Sequence, residues 1–289
     1  MSQKVAIFGS SGQLGVELCR ELASRGYLVA GFERSRIDIT DRSLIERSLA
    51  EIDPSIVVNA SAYNQVDVAE TEPQAAFAVN GLGVRNLALA CRQIDARLVH
   101  FSTDYVFDGE AGRPYTEDDI PHPLGAYAVS KYAGELYARA YLDDPLLIRT
   151  SGVFGPAGTA TRRGNFVELM LRLAAGDQPI RVVDDHVASP TFAPLLAART
   201  ADLIDRKLGG VFHVAGGTPI SWFHFASAIF RARGLEPELR ATTAREYRTP
   251  ARRPRYSALS NAKIESVGLD PMPSVERALD LYFSARIAA

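Results

Sequence analysis

Short apolar runs alternate with longer amphipathic segments through the first half of the chain. The runs are rich in β-branched side chains and are apolar on both faces, as in strands buried between two layers of helices. The segments that predict strands are residues 4–8, 28–32, 55–60, 97–102 and 145–150. Residues 73–92 and 124–141 carry apolar side chains at helical spacing. This alternation predicts an α/β fold, a doubly wound parallel sheet between helices.

The alternation becomes less regular after about residue 155. The segments that predict helices there are residues 166–175, 192–208, 222–233 and 275–285, and those that predict strands are residues 180–183 and 210–214. No flexible linker separates the two halves. We therefore expect residues 1–155 to form the sheet domain and residues 156–289 to form mainly a smaller α/β region packed over it. A segment near residues 185–217 is expected to return to the sheet.

Composition narrows the kind of protein that this chain can be. Its 289 residues are 47% hydrophobic and 23% charged, with a net charge of −2, which provides no basic surface for nucleic acid. No apolar run approaches the roughly 20 residues needed to cross a membrane. The first residues lead directly into a strand and predict no signal peptide. Cys19 and Cys91 are expected to be buried thiols in a reducing cytoplasm, and no Cys/His spacing predicts a metal site.

Three glycines stand between the first strand and the helix that follows it. Gly9 permits a tight turn, Gly12 lets the backbone approach a pyrophosphate, and Gly15 lets helix and strand pack closely. The free N–H groups at the start of such a helix attract an anion. A plain strand-to-helix turn can also contain glycines, but this position after the first strand favours a Rossmann-type dinucleotide site.

The residues after the second strand bear on the choice of cofactor. An acidic residue at this position, here Glu33, is typical of NAD-binding proteins because it contacts the ribose. Arg34 and Arg36 follow at once, and an arginine can pair with the 2′-phosphate of NADP. NADPH is therefore the expected cofactor, with NADH as the alternative and a solvated loop as the simpler explanation of the arginines. Asp38 and Ile39 would flank the adenine.

A cluster of hydroxyl groups provides the candidate chemistry. Thr103 ends a predicted strand, where open α/β sheets place ligands. Tyr127 and Lys131 are four residues apart and so share one helix face. We expect the ammonium to lower the pKa of the phenol, so that Tyr127 exchanges a proton with a carbonyl oxygen held by Thr103. The Tyr-x-x-x-Lys spacing alone is common on helix surfaces, and the glycine motif makes the chemical interpretation stronger.

With these residues the chain resembles the dTDP-4-dehydrorhamnose reductase family of the extended short-chain dehydrogenase/reductases. The motifs that carry the resemblance are Gly9-x-x-Gly12-Gln13-Leu14-Gly15, Asp38-Ile39-Thr40-Asp41, Asn59-Ala60-x-Ala62-Tyr63, Ser102-Thr103-Asp104-Tyr105, Tyr127-x-x-x-Lys131 and Ser189-Pro190-Thr191. It implies NADPH-dependent reduction of the C4 ketone of a nucleotide-linked 4-keto-6-deoxy sugar. The first candidate is dTDP-4-dehydro-L-rhamnose, reduced to dTDP-L-rhamnose.

The resemblance also implies roles for individual residues. The cofactor-binding set would be Gly9, Ser11, Gly12, Gln13, Leu14, Arg34, Asp38, Ile39, Ala60, Ser61, Ala62, Tyr63, Tyr127 and Lys131. Catalysis would fall to Tyr127, Lys131 and Thr103. The substrate would meet Thr103, Asp104, Tyr105 and Arg253, the last as a clamp on the nucleotide diphosphate unless the basic run at residues 252–255 is only a solvated face. Residues 156–289 would then be mainly the substrate-binding region.

One departure from the family pattern leaves alternatives open. Gly152 stands where the family usually has a tryptophan against the sugar, so the sugar or the C4 configuration of the product can differ. A related epimerase or dehydratase, or a non-catalytic NAD(P)-binding regulatory subunit, is the alternative function. The absence of glutamate after Asp104 disfavours dehydration, and the intact Thr103, Tyr127 and Lys131 set disfavours the subunit. The helices predicted at residues 73–92 and 124–141 can pair across a homodimer.

Overall fold

The computed structural model describes residues 3–160 and 164–287. In chain order the strands are β1 Lys4–Phe8, β2 Leu28–Phe32, β3 Ile56–Asn59, β4 Arg97–Thr103, β5 Leu146–Thr150, β6 Ile180–Val183, β7 Val187–Ala188, β8 Gly210–His213, β9 Ile220–Ser221 and β10 Leu239–Thr242. The α-helices are α1 Gln13–Ser24, α2 Arg42–Ile52, α3 Pro73–Phe77, α4 Gly83–Gln93, α5 Ala126–Tyr141, α6 Phe166–Ala174, α7 Ala193–Asp205, α8 Trp222–Arg233, α9 Ala262–Ser266 and α10 Val275–Ile287.

Within the described residues, six strands form one parallel sheet in the order β2-β1-β3-β4-β5-β8. The chain moves outward in one direction from β1 to β2 and then crosses to β3 on the other side. Such a reversal opens a crevice at the carboxyl ends of the two central strands, where open α/β sheets bind ligands. The predicted α/β, Rossmann-type class is confirmed, and β8 lies within the segment expected to return to the sheet.

The sheet is buried on both faces, which explains its uniformly apolar strands. One face packs against α1 and α7, with Ile7, Val58 and Leu196 in the same buried cluster. The other face packs against α2 and α4, with Phe8 and Leu87 in its cluster. Asp41 begins α2 by accepting a hydrogen bond from the Leu44 N–H at 3.0 Å, as an N-cap residue does.

A third apolar cluster lies in the later part of the chain. Phe154, Phe225 and Tyr282 are buried in it, and it joins α6, α8 and α10. The strand β10 pairs in parallel with β6, and sequence analysis predicted no strand at residues 239–242. The division of the chain at residue 155 remains a prediction. Within the described part of the chain, no helix is both long and apolar enough to cross a membrane.

The single helix predicted over residues 73–92 is interrupted. A π-helical turn, Ala78–Leu82, separates α3 from α4. Gly83 follows it, and a Cβ there would lie 2.7 Å from the Ile39 side chain, so the close approach of the loop after β2 requires glycine. Extra turns of this kind often occur at functional sites because they redirect one side chain. Here the redirected residue is Asn80, described below. Pairing of these helices across a homodimer remains a prediction.

Candidate active site

A cleft of about 720 Å³ opens at the carboxyl ends of the central strands. Its walls are Gly9, Ser11, Gly12, Gln13, Leu14, Arg34, Ile37, Asp38, Ile39, Ala60, Ser61, Ala62, Tyr63, Asn64, Val79, Ser102, Thr103, Asp104, Tyr127, Thr150, Gly152, Val153, Gly164 and Asn165. The residues expected to hold the cofactor thus line a single cleft, apart from Lys131. The candidate catalytic hydroxyls of Thr103 and Tyr127 line the same cleft.

The glycine loop has the shape that a pyrophosphate needs. Gly9 has a φ of +80°, and a Cβ there would lie 2.8 Å from the Ser61 amide nitrogen. A Cβ on Gly15 would lie 2.0 Å from the Gly9 carbonyl oxygen. Both positions therefore exclude a side chain. Gly12, the residue before α1, makes no capping side-chain hydrogen bond within the described structure, so the amide groups of the first turn are available to an anion.

The side chain of Gln13 links the glycine loop to the later part of the chain. Its amide nitrogen donates to the Val153 carbonyl oxygen at 2.8 Å, and its oxygen accepts from the Asn165 amide at 2.9 Å. Asn165 in turn caps α6 by accepting from the Glu168 N–H at 3.0 Å. Because the Gln13 side chain is bound at both ends, its predicted contact with a pyrophosphate falls to its backbone.

The loop after β2 presents one arginine to the cleft. The Arg34 Nε lies 3.4 Å from an oxygen of Asp38, while the rest of its side chain is exposed. Asp38 also accepts hydrogen bonds from the backbone and hydroxyl of Thr40, at 2.9 and 2.8 Å. Burial opposes ionisation of Asp38, but these bonds and the Arg34 cation lower its pKa. The loop is thus ordered around an ionised carboxylate, with a cation at the edge of the cleft.

Thr103 and Tyr127 meet at the inner end of the cleft. Thr103 is the last residue of β4, and Tyr127 is the second residue of α5. Burial raises the pKa of Tyr127 to about 12, and the nearby Asp104 acts in the same direction, whereas a hydrogen bond with Thr103 opposes the change. The phenol is therefore neutral near pH 7 and holds a proton that it can give to a bound oxygen.

Lys131 lies behind Tyr127 rather than in the cleft wall. Its ammonium donates to the Phe101 carbonyl oxygen at 2.6 Å. Burial lowers the pKa of Lys131 to about 8, against the opposing charge of Glu135. The ammonium was expected to lower the pKa of Tyr127, but that pKa is raised, because burial of the phenol dominates. The spacing placed both groups on one helix face but did not reveal how deeply they would be buried.

Asp104 is held by hydroxyl groups from three parts of the chain. Ser151 donates to its Oδ2 at 2.8 Å, Ser257 donates to the same oxygen at 2.5 Å, and Thr103 donates to its Oδ1 at 3.2 Å. Burial nevertheless raises the pKa of Asp104 to about 6. Asp104 thus fixes Thr103 from behind and joins β4, the end of β5 and the C-terminal segment.

Tyr105 and Arg253 lie together outside the cleft walls. Two guanidinium nitrogens of Arg253 donate to the two carboxylate oxygens of Asp67, each at 2.8 Å. The Arg253 cation also interacts electrostatically with Tyr105, whose ring meets the Tyr127 ring edge to face at 6.2 Å between centroids. The substrate roles of Tyr105 and Arg253 remain predictions, and in this structure both residues contact protein groups.

Two asparagines shape the cleft, although the sequence analysis assigned a role to neither. Asn59 accepts from the Ser61 N–H at 3.0 Å. Asn80, in the π-helical turn, accepts from the Tyr63 N–H at 2.8 Å and donates to the Tyr63 carbonyl oxygen at 2.9 Å and to Ser130 at 3.0 Å. A polar residue such as Asn59 at the end of a buried strand can be recognised in the sequence as a candidate site residue. Asn80 cannot be recognised in this way, because the direction of its side chain depends on the extra residue in the π-helical turn.

Two further hydroxyls in the cleft are suited to a bound molecule. Ser102 and Thr150 line the cleft, are almost fully buried, and their oxygens have no hydrogen-bond partner among the described residues. Buried hydroxyls are usually paired, since an unpaired one costs about 1–3 kcal/mol. Together with the glycine cradle, these two groups fit a polar ligand that fills the cleft beside Thr103.

Comparison with known proteins agrees with this geometry. The family model described as "RmlD substrate binding domain" matches residues 3–286. The dTDP-4-dehydrorhamnose reductase of Streptomyces griseus is 40% identical over 286 residues, covering 96% of this chain and 92% of that protein. The chain belongs to the dTDP-4-dehydrorhamnose reductase family. The family and the oxidoreductase class predicted from the sequence are thereby confirmed.

Two other relatives match almost end to end. The spore coat polysaccharide biosynthesis protein SpsK of Bacillus subtilis is 40% identical over 286 residues and is covered to 99%, as is this chain. The crystal structure of dTDP-4-dehydrorhamnose reductase from Bacillus anthracis, a complex with NADP, has a TM-score of 0.94 and 35% identity. That comparison covers 99% of this chain and 100% of the other.

Gly152 forms part of the cleft wall in this member of the dTDP-4-dehydrorhamnose reductase family. Its φ of +50° favours glycine, and a Cβ there would lie 3.1 Å from the Trp222 ring and 3.3 Å from Pro190. The edge of Trp222 therefore fills the space behind Gly152. Trp222 itself packs against Phe166, with 4.7 Å between ring centroids. The wall at this point is backbone, so no aromatic platform projects from position 152.

Proposed function

We propose that the chain catalyses the NADPH-dependent reduction of the C4 ketone of a nucleotide-linked 4-keto-6-deoxy sugar. The first candidate is the conversion of dTDP-4-dehydro-L-rhamnose to dTDP-L-rhamnose, the reaction that gives the matched family its name. The observation that carries the proposal is that Thr103 and Tyr127 line the same cleft as the glycine loop. A hydride donor and a proton donor can therefore serve one bound carbonyl group.

The chain supplies placement and a proton. A bound nicotinamide coenzyme would supply hydride to the carbonyl carbon. Tyr127 keeps its proton at neutral pH because its pKa is about 12, and it is placed to donate that proton to the carbonyl oxygen. Thr103 lies in the cleft wall with Tyr127 and donates its hydroxyl proton to Asp104, so it must turn that proton into the cleft to hold the carbonyl oxygen. Lys131 is a cation below about pH 8 and favours negative charge developing on the phenol.

Arg34 supports NADPH as the cofactor. Its side chain stands at the cleft wall with most of its surface exposed, and only its Nε lies near Asp38. The remaining guanidinium nitrogens would bind a 2′-phosphate, which arginine binds with paired hydrogen bonds. The Bacillus anthracis relative was crystallised with NADP, in agreement with this assignment. Arg36, by contrast, lies over the Phe32 ring, 5.5 Å from its centroid, and does not line the cleft.

The sugar would occupy the end of the cleft bounded by Thr150, Gly152 and Val153. Position 152 contributes only backbone to this end, so no side chain at that position restricts the sugar. We therefore propose that the substrate range is wider than in a relative with a large side chain there. The identity of the sugar and the configuration at C4 are the parts of the proposal that experiment must decide.

A screen of nucleotide sugars with product analysis tests the proposed function. Purified protein is mixed with NADPH and each of several 4-keto-6-deoxy sugar nucleotides, and NADPH absorbance is followed before the product is analysed by NMR. Substrate-dependent oxidation and a new C4 hydroxyl are expected. A sugar that changes configuration with no net NADPH loss would instead indicate an epimerase. Cofactor binding with no turnover on any keto sugar would indicate a binding subunit.

A further inference from the structure

An acidic turn lies beside the start of the helix that carries Tyr127. The turn is residues 67–70, which include the 3₁₀ helix Val68–Glu70, and its carboxylates are Asp67 and Glu70. Neither carboxylate lines the cleft. Glu70 is nevertheless connected to Tyr127 through the backbone of α5, and Asp67 is connected to it through the aromatic ring of Tyr105.

Glu70 supplies the cap that α5 does not provide for itself. Gly125 precedes α5 and has no capping side chain, but the Glu70 Oε1 accepts from the Ala126 N–H at 2.8 Å. A Cβ on Gly125 would lie 2.7 Å from that oxygen, so glycine is what allows the carboxylate to come so close. A negative group at a helix N-terminus is favourable, and a capping bond fixes the first turn. Tyr127 is the next residue after Ala126.

Asp67 acts on the ring side. It binds the guanidinium of Arg253 through both carboxylate oxygens at 2.8 Å, and it accepts from the Ala251 N–H at 3.2 Å. The Arg253 cation also interacts electrostatically with Tyr105. The planes of the Tyr105 and Tyr127 rings make an angle of 89°, so the edge of one ring packs against the face of the other. The ring of Tyr127 is thus buttressed by a chain of contacts that ends at Asp67.

We propose that Glu70 and Asp67 are positioning residues for Tyr127, the first fixing its backbone and the second its ring. This inference rests on the proposed reductase function, in which Tyr127 donates the proton. Tyr127 must keep its place beside Thr103 in the cleft wall while it faces the substrate. Small displacements of a reacting group cost large factors in rate, about 10²-fold for roughly 1 Å. The acidic turn therefore sets the rate of proton transfer without touching the bound molecules.

The inference is tested with Glu70→Ala and Glu70→Gln, each in the wild-type and the Tyr127→Phe background. We expect Glu70→Ala to lower kcat by about 10–100-fold. The KM for the sugar and the Kd for NADPH should stay within about twofold, because Glu70 lies outside the cleft walls. Glu70→Gln should restore most of the rate, since its amide oxygen can still accept from the Ala126 N–H. Glu46→Ala, which removes a carboxylate paired with Arg42 on α2, is the matched control.

The Tyr127→Phe background separates positioning from a general loss of stability. A residue that acts through the phenol has little left to affect once the phenol is gone, so Glu70→Ala should change the residual rate by less than about threefold. An equal fold-loss in both backgrounds would overturn the inference and assign Glu70 a structural role. So would a Glu70→Ala protein with wild-type kcat. Asp67→Ala should show the same dependence on Tyr127.

Hydrogen exchange gives a second readout that needs no turnover. The Ala126 N–H should exchange at least about 10-fold faster in Glu70→Ala than in wild type. Its exchange rate in Glu46→Ala should equal that of wild type. An unchanged exchange rate of the Ala126 N–H in Glu70→Ala would contradict the proposal that Glu70 caps α5. If the wild-type protein reduced no sugar, the proposed function would fail, while the exchange result would still decide whether Glu70 fixes the start of α5.

Discussion

Replacing Asp104 with asparagine should remove a pH dependence from the stability of the protein. Asp104 is buried, and its carboxylate accepts from Ser151, Ser257 and Thr103. Burial still dominates and raises its pKa to about 6 from the ordinary 3.8. Because this pKa is higher in the folded protein than in the unfolded chain, the folded protein binds the proton more tightly. The resulting contribution to the free energy of unfolding is present in full below about pH 4 and is lost as the pH rises through about 6.

The size of the effect follows from the displacement of the pKa. One pKa unit corresponds to ~1.36 kcal/mol, so a shift of roughly two units is worth about 3 kcal/mol over the whole range. Between pH ~4.5 and ~8, about 2 kcal/mol of this should be lost, because the unfolded carboxyl is already mostly ionised at the lower pH. Asparagine does not titrate, and the serine hydroxyls can turn to accept from its amide.

Urea unfolding of wild type and Asp104→Asn at several pH values measures the effect. The free energy of unfolding of the variant, relative to wild type, should rise by about 2 kcal/mol from pH ~4.5 to ~8. Asp108→Asn is a control of opposite sign. The hydrogen bond from Tyr115 lowers the pKa of Asp108, so its variant should lose relative stability as pH rises. A difference between wild type and Asp104→Asn that stays constant with pH would refute the reasoning.

Three other predictions concern catalysis and cofactor choice. Tyr127→Phe should leave NADPH affinity nearly unchanged and lower turnover by roughly 10²–10⁴-fold. Near-wild-type turnover of this variant would exclude Tyr127 as the proton donor. Arg34→Ala should weaken binding of NADPH more than NADH in fluorescence titrations, whereas equal losses would mean that Arg34 does not meet the 2′-phosphate. The rate of reduction should fall as pH rises through about 8, where Lys131 loses its proton. A profile that is flat across this range would argue against a role for the Lys131 cation.

The parts of the fold that the sequence predicted depend on short-range patterns. Strands buried on both faces produce apolar runs, and the glycine loop stands directly between β1 and α1, so both are visible locally. The same holds for Tyr127 and Lys131, whose spacing alone places them on one helix face. The cleft walls confirm that the loops at Gly9, Asp38 and Ala60 converge at one edge of the sheet.

What the sequence could not reveal depends on long-range packing. Ser257 meets Asp104 across 153 positions of chain, and no local pattern indicates that contact. Asn80 reaches Tyr63 because one helical turn is wider than the others, which apolar periodicity does not show. The pKa of Tyr127 was predicted with the wrong direction because burial, rather than the nearest charge, determines it.

Transfer of an isotopic label tests the central claim most directly. NADPH carrying deuterium at both hydrogens of C4 of the nicotinamide is incubated with a 4-keto-6-deoxy nucleotide sugar, and the product is examined by NMR. The account predicts one deuterium at C4 of the sugar, with wild-type protein forming the labelled product and Tyr127→Phe forming it roughly 10²–10⁴-fold more slowly. An altered sugar with no deuterium at C4, or equal rates for both proteins, would contradict it.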